Sequence, residues 1–328
     1  MGEILMPAVS AAGAAAFILA FSLSLDFWGR LVLRAVKAGD AAEPESMLGC
    51  AAGAAAAFVA CRWLSFFTRS FETPLTAFVA LGAIGALWRL ASELRASKAD
   101  PARPSALESL RAAVAAREWA VVVSLLAFVL AFWFCSLWPS GEMEPWLTQS
   151  ADYYSWTFFA GYWMGYGDAE TYGIMNLHRW IFDAFGTNIL YAMYSSARGV
   201  PAYIASGGFE ILVLSWTGCA IYVLVRRLAG FPRWLAWLAA LGVVGGWFCR
   251  FLMFGGLIGQ LVAIFGYLLL MRPALSSSGT PPSRRGGFAR VFVPLLFVFL
   301  SYQAGYVMFA AIFCAARFLR LSFGGDHG

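Results

Sequence analysis

Long apolar runs separated by short charged breaks dominate the chain. A helix needs about 20 apolar residues to cross the hydrocarbon core of a bilayer. Runs of roughly that length lie at Ile4–Leu25, Met47–Phe67, Pro74–Leu90, Trp119–Trp138, Gly207–Val225, Trp234–Phe248 and Leu257–Met271. A last apolar stretch, Val291–Phe318, is long for a single span. The segment Ser301–Tyr306 interrupts it, so it is either one tilted helix or two short ones. The pattern predicts an all-α fold, a polytopic transmembrane helical bundle of about eight or nine spans. The breaks are basic (Arg30, Arg34, Lys37), acidic (Asp40, Glu43, Glu45) or mixed (Glu93–Glu118, helical around Ala106–Ala116). Ser276–Arg290 contains SSSGTPPSRRGG, which reads as a flexible linker.

Composition strengthens this reading. The chain is 61% hydrophobic and only 12% charged, against about 25% charged in soluble domains, and its mean hydropathy is +0.71. The net charge of +5 is spread over breaks between apolar runs. Membrane topology therefore accounts for it, and nucleic acid is excluded as a partner. The six cysteines lie in or beside apolar runs with no C-x-x-C pair, and only two histidines are present. The cysteines read as small, polarisable packing residues, and a multi-histidine metal centre is unsupported. The first apolar run lacks a basic leader and is long enough to span, so no cleavable signal peptide is expected.

Basic residues set the orientation. With the N-terminus outside, sixteen Lys and Arg fall in inner segments, around Arg30–Lys37, Arg89–Arg117, Arg226–Arg233 and Arg272–Arg290. Five, namely Arg62, Arg69, Arg179, Arg198 and Arg250, fall outside. This arrangement divides the chain into an N-terminal three-span segment with its cytoplasmic connection, 1–118, and a membrane core, 119–328, with a large external loop at 140–202.

That loop is the one long polar segment that is not basic. It holds Glu142, Glu144, Asp152, Asp168, Glu170 and Asp183 against Arg179 and Arg198, and it is crowded with aromatic residues. In its second half Ile174, Leu177, Ile181, Phe185 and Ile189 recur at helical spacing, with Asn176, Arg179, Asp183 and Thr187 opposite. The spacing predicts amphipathic helices lying flat in the interface. Such a helix can be a plain cover over the bundle as readily as a substrate contact. Gly186 is expected to weaken or end it.

The candidate chemistry clusters in the same loop. Asp152 stands beside Tyr153, Tyr154 and Trp156, shortly after the fourth span. A carboxylate on an apolar surface can act as a general base or help hold a divalent cation beside a phosphate. A solvated acid at a helix start is the plainer reading for any one of these acids. Glu142 and Glu144 compete with Asp152, and Asp168 and Glu170 follow Gly165 and Gly167 in what reads as an exposed turn. Trp and Tyr gather at interfaces in any membrane protein, yet aromatic faces also stack on sugar rings. Glu210 and Gln260 stand alone in apolar runs, and Arg250 precedes the seventh span. Polar groups in lipid face a partner or a cavity. Arg250 could meet a phosphate, pair with Glu210 or snorkel to the surface.

A span, a long acidic and aromatic external loop, and then short-looped spans together resemble the GT-C class of membrane glycosyltransferases. The stretches GGFEILVLSWTGCAIYVLVRRLAG, FGGLIGQLVAIFGYLLLM and SYQAGYVMF are similar to the middle of many bacterial members. The resemblance covers roughly Trp119–Phe318. It implies an integral, multi-pass protein of the bacterial inner membrane that transfers a sugar from a polyprenyl-phosphate donor to an acceptor on the outer face. It also implies an acid of the first large loop as base or metal ligand, which maps onto Asp152, with Arg250, Glu210, Gln260, Tyr153 and Trp156 as substrate-binding candidates. The chain departs from the class in three ways. Its large loop follows the fourth span instead of the first, it lacks an adjacent pair of acids, and it stops soon after SYQAGYVMF. A minimal or incomplete member is therefore expected.

Two other readings compete: a non-catalytic membrane assembly subunit, and a transporter-like protein. Few paired polar residues occur inside the spans, which weighs against ion coupling. The orientation has a direct test. A Ser140→Cys variant is expected to react with a membrane-impermeant thiol reagent added to intact cells; no labelling at that site would overturn the topology.

Overall fold

The computed structural model describes residues 2–38, 47–64, 67, 71–99, 159–161, 163–164, 185–228, 230–244, 258–275 and 284–302. Its long helices are α1 (Gly2–Ala35), α2 (Leu48–Leu64), α3 (Glu72–Ala99), α4 (Phe185–Arg198), α5 (Ala202–Leu228), α6 (Arg233–Val244), α7 (Ile258–Leu275) and α8 (Arg284–Ser301). No strand occurs among the described residues, so the all-α expectation holds. Two helical segments, Gly13–Ala35 and Ile204–Arg226, are long and apolar enough to cross a bilayer. Leu48–Cys61, Arg233–Val244 and Ile258–Met271 are apolar but shorter. The fourth expected span, Trp119–Trp138, lies outside the described residues.

Small residues bring α1 and α2 together. A Cβ on Gly29 would run into the carbonyl of Gly49, and one on Gly53 into the carbonyl of Leu25. The two backbones are therefore in direct contact, an approach that only glycine permits. The Cys50 thiol lies 3.4 Å from the Ser22 carbonyl, and Asp26 pairs with Arg30 one turn further along α1. Residue numbers rise in one helix as they fall in the other, so α1 and α2 are antiparallel.

α3 runs parallel to α1 along another face. Ser24 donates to the Val79 carbonyl at 2.8 Å, and the Trp28 indole N–H donates to the Phe78 carbonyl at 2.9 Å. The Trp28 and Phe78 rings stack at 5.0 Å. α5 lies at the centre, where Trp216, 1% exposed, donates to the Ser22 hydroxyl at 2.8 Å. That hydroxyl in turn donates to the Ile18 carbonyl. Trp216 also meets Phe265 of α7, and Phe265 meets Phe297 of α8. α7 and α8 are antiparallel, with Gly266 against Phe297 and Val298, and Gln260 against Tyr302. α8 runs parallel to α2, joined by the Phe58–Phe297 ring pair at 5.8 Å. α6 folds back from α5 through Gly230, whose φ is 66°.

These directions place like ends together. The C-terminal ends of α1, α3 and α5 meet the N-terminal ends of α6 and α8, and this end carries Arg30, Arg34, Lys37, Arg226, Arg233, Arg285 and Arg290. α4 packs at the opposite end, against α1 through Tyr194 and Phe17, and against α2 and α8 through Gly186.

Several boundaries differ from the sequence expectation. The basic stretch after the first run is the last turns of α1, and α3 continues through Ala99. Helix propagation needs only compatible backbone, whereas hydropathy marks where lipid ends; long cationic side chains let a helix continue past that point. The expected linker at Ser276–Arg290 is helical from Arg284 onward. Gly186 is the second residue of α4, with its bare Cα against the Phe58 ring and the Leu300 carbonyl; the segment it was expected to weaken or end lies outside the described residues.

The α1–α2 contact makes a quantitative prediction. Gly53→Val forces the two backbones apart and should cost about 1–3 kcal/mol, the range for overpacking a tight site. Gly13→Ala, where a Cβ meets nothing within 4 Å, should be neutral or stabilise by up to about 1 kcal/mol through helix propensity. Thermal unfolding midpoints of the two variants in detergent check this.

Candidate functional site

α4 is buried on every side. All residues from Gly186 to Ser196 are buried, and the helix contacts α2, α3, α5, α7 and α8 as well as α1. The expected interfacial helix, Ile174–Ile189 with one polar face in water, is described only from Phe185 onward, and that part is interior; Ile174 to Asp183 lie outside the described residues. Thr187, assigned to that polar face, is 0% exposed and donates to the Ser301 carbonyl at 2.8 Å. A surface-lying helix carries charges along its polar face. Between Gly186 and Ala197 there are none, and uncharged polar groups can be accommodated inside. That lack of charge was the available sequence signal.

The corner after α4 is well defined. Gly199 has a φ of 65°, and the amides of Gly199 and Val200 donate back to the carbonyls of Ser196 and Ser195. This is the glycine-terminated helix end expected where the next residues turn away. Pro201 then opens α5. Tyr191 donates to the Ala202 carbonyl at 2.6 Å and stacks on Phe209 at 4.7 Å. Across the corner, the Tyr194 hydroxyl and the Arg198 guanidinium lie where a Gly208 side chain would be. Burial pushes the Tyr194 hydroxyl up to about 12, opposed by the nearby Arg198 charge. Arg198 sits 5.8 Å from the Phe17 ring centre and 6.0 Å from that of Tyr194, within cation–π range.

Around α4 several buried polar groups have no hydrogen-bond partner among the described residues. They are both amide atoms of Asn188, the hydroxyls of Ser195, Ser196 and Ser301, both carboxyl oxygens of Glu210, and Gln260 Oε1. Buried polar atoms are nearly always bonded, so this end of the bundle has a high density of unused donors and acceptors. The set is chemically distinctive: hydroxyls, two amides and one carboxyl, with Arg198 at its margin.

Of the residues singled out in the sequence, Glu210 and Gln260 are described. Glu210 lies early in α5 and is 1% exposed. Gln260 lies at the start of α7 and donates to the Tyr302 hydroxyl at 3.2 Å. No hydrogen bond joins the two. Asp152, Tyr153, Trp156 and Arg250 lie outside the described residues, as do Glu142, Glu144, Asp168, Glu170, Arg179 and Asp183. Part of the same loop is described, and it is core. Phe159, Ala160, Trp163 and Met164 are buried, and Trp163 meets Phe71 at the start of α3 through its ring at 5.1 Å and its carbonyl at 3.0 Å. The loop therefore reaches into the end of the bundle that holds α4.

Sequence reasoning passed over Asn188, Ser195 and Tyr191. Their signal is weak because Ser, Asn and Tyr are ordinary in any helix near an interface. Among the described residues, no three His, Cys, Asp or Glu side chains come together as metal ligands would. No known protein family matches the chain, and neither a curated protein nor a solved structure matches it.

Proposed function

We propose that the protein is a multi-pass integral membrane protein of the bacterial inner membrane, a bundle of about eight or nine spans. At its outer end it transfers a sugar from a polyprenyl-phosphate donor to an acceptor. The membrane part of this reading is supported by an inverted distribution of polarity. Leu81, Ile84, Leu87 and Trp88 of α3 and Trp234 and Leu238 of α6 are all more than half exposed, while Glu210, Asn188 and Thr187 are at most 1% exposed. Lipid tolerates the first set, and polar groups retreat inward from it. The concentration of cations at one end supports the orientation, with that end in the cytoplasm.

The observation that carries the sugar reading is the composition of the opposite end. Hydroxyls, amides and a single carboxyl can both donate to and accept from a polyol, and aromatic residues crowd the loop that reaches there. In the proposed step Asp152 accepts the proton of an acceptor hydroxyl. The acceptor oxygen bonds to the sugar's anomeric carbon as the bond from that carbon to the phosphate oxygen breaks, and polyprenyl phosphate leaves. Arg250 would offset the charge of the departing phosphate, and a divalent cation held beside Asp152 would supply further counter-charge there. Tyr153 and Trp156 stack on sugar or prenyl groups, and Glu210 and Gln260 hold hydroxyls.

One observation favours a second reading. Glu210 is a buried carboxyl inside a helix long and apolar enough to span, a position often tied to ion or proton pathways. A transporter-like protein is therefore the main alternative, ahead of a non-catalytic assembly subunit.

The test compares lipid-linked sugar pools in a deletion strain complemented with empty vector, wild type or Asp152→Asn. A polyprenyl-phosphate sugar should accumulate in the deletion and with Asp152→Asn, and should return to the basal level with wild type. Equal pools in all three would remove the transferase reading, and solute movement in proteoliposomes without sugar transfer would replace it with transport.

A further inference from the structure

On the other side of the bundle, a groove of about 840 Å³ runs between α1, α2 and α8. That volume falls in the range of small-molecule sites, about 300–1,000 Å³. Its floor is made by the alanines of α2, Ala52, Ala55, Ala56 and Ala60, which recur at helical spacing and leave the volume open. Phe288 and Phe292, one turn apart on α8, stack at 5.0 Å to form one wall, and Val36, just past the end of α1, and Val59 of α2 also line the groove. These four side chains are 41–64% exposed although wholly apolar. Among the described residues the only charged side chain in the lining is Arg285, at the basic end.

Length and charge together identify the occupant. From Arg285 to Leu296 the groove follows α8 for about 16 Å at 1.5 Å per residue. This equals the depth of one leaflet, half of a hydrocarbon core of about 30 Å. The cation therefore stands where a lipid headgroup would be, and the apolar channel runs from there to the bilayer midplane. Arg34 and Lys37 lie at the same end on α1. The N-terminus of α8 adds its own positive potential. A phosphate without a compensating headgroup cation fits this charge better than a zwitterion does.

We infer that the groove between α1, α2 and α8 is a binding site for an anionic phospholipid of the inner leaflet, with an acyl chain along the α2 alanines and its phosphate at Arg285. The inference rests on the membrane reading and is independent of sugar transfer. A bound lipid here bridges α8 to the α1–α2 pair, which touch at this end through Leu33, Leu48, Ala52 and Ala289.

The experiment reconstitutes the full chain in vesicles of equimolar phosphatidylglycerol and phosphatidylcholine, extracts it in mild detergent and weighs retained lipid by native mass spectrometry. Wild type should retain phosphatidylglycerol several-fold over phosphatidylcholine. Ala56→Trp, which fills the floor, should remove the retained lipid. Arg285→Gln, at an exposed position that leaves the fold intact, should lower the preference about fivefold, the effect of one surface cation on an anionic lipid. Equal retention of both lipids by wild type, or a preference unchanged by Arg285→Gln, overturns the proposal. So does a change in oligomeric mass with Ala56→Trp at unchanged lipid retention, which would make the groove an interface between copies.

Discussion

The backbone contact between α1 and α2 at Gly29, Gly49 and Gly53 is the constraint from which the rest of the arrangement follows. Two helices this close fix their relative rotation, because a shift would drive carbonyl oxygens together. With α1 held in that rotation, Ser22 points to the bundle centre, where it accepts from Trp216, and Ser24 and Trp28 point to α3. Three of the bundle's helices are thus registered on one face pair of α1. Since α1, α3 and α5 run the same way, their cationic ends coincide, and the charge asymmetry of the molecule is a consequence of packing direction.

At the far end the same constraint creates the space that α4 fills. Phe17 and Phe21 on α1 project toward Tyr194, and Phe58 on α2 closes on Gly186. A helix so enclosed cannot leave its polar atoms to water. Thr187 and Tyr191 spend theirs on carbonyls of neighbouring elements. Asn188, Ser195 and Glu210 do not bond to described residues, and the proposed reaction is placed at the α4 end on that ground. The proposed lipid groove runs along α2 from Ala52 to Ala60, with its charged residue Arg285 at the end of the bundle away from α4.

The helices were legible in the sequence wherever an apolar run stood alone. Gly207–Val225 lies inside α5, and Leu257–Met271 nearly coincides with α7. Helix ends were not legible, because the charged residues after Leu25 and Leu90 stop an apolar run without stopping a helix. Glu210 and Gln260 stood out as lone polar residues among apolar ones, and both have buried polar atoms as that isolation implied. The setting of α4 was hidden. Periodicity can show that two faces differ, but it cannot show whether the polar face meets water or another helix. Thr187 looked like a surface residue for that reason. The groove was equally invisible, since the alanines of α2 become a channel only when α8 lies beside them.

The account turns on α4 being an interior helix. Ser195→Cys, in a variant lacking the native cysteines, is a nearly isosteric probe at a position that is 0% exposed. Reaction of the native protein with a small water-soluble maleimide in mild detergent measures its accessibility directly. The account predicts no labelling until the protein is denatured, with full labelling afterwards. Labelling of the native protein as fast as at an exposed control such as Lys37→Cys would contradict it, returning α4 to the surface and dissolving the candidate site.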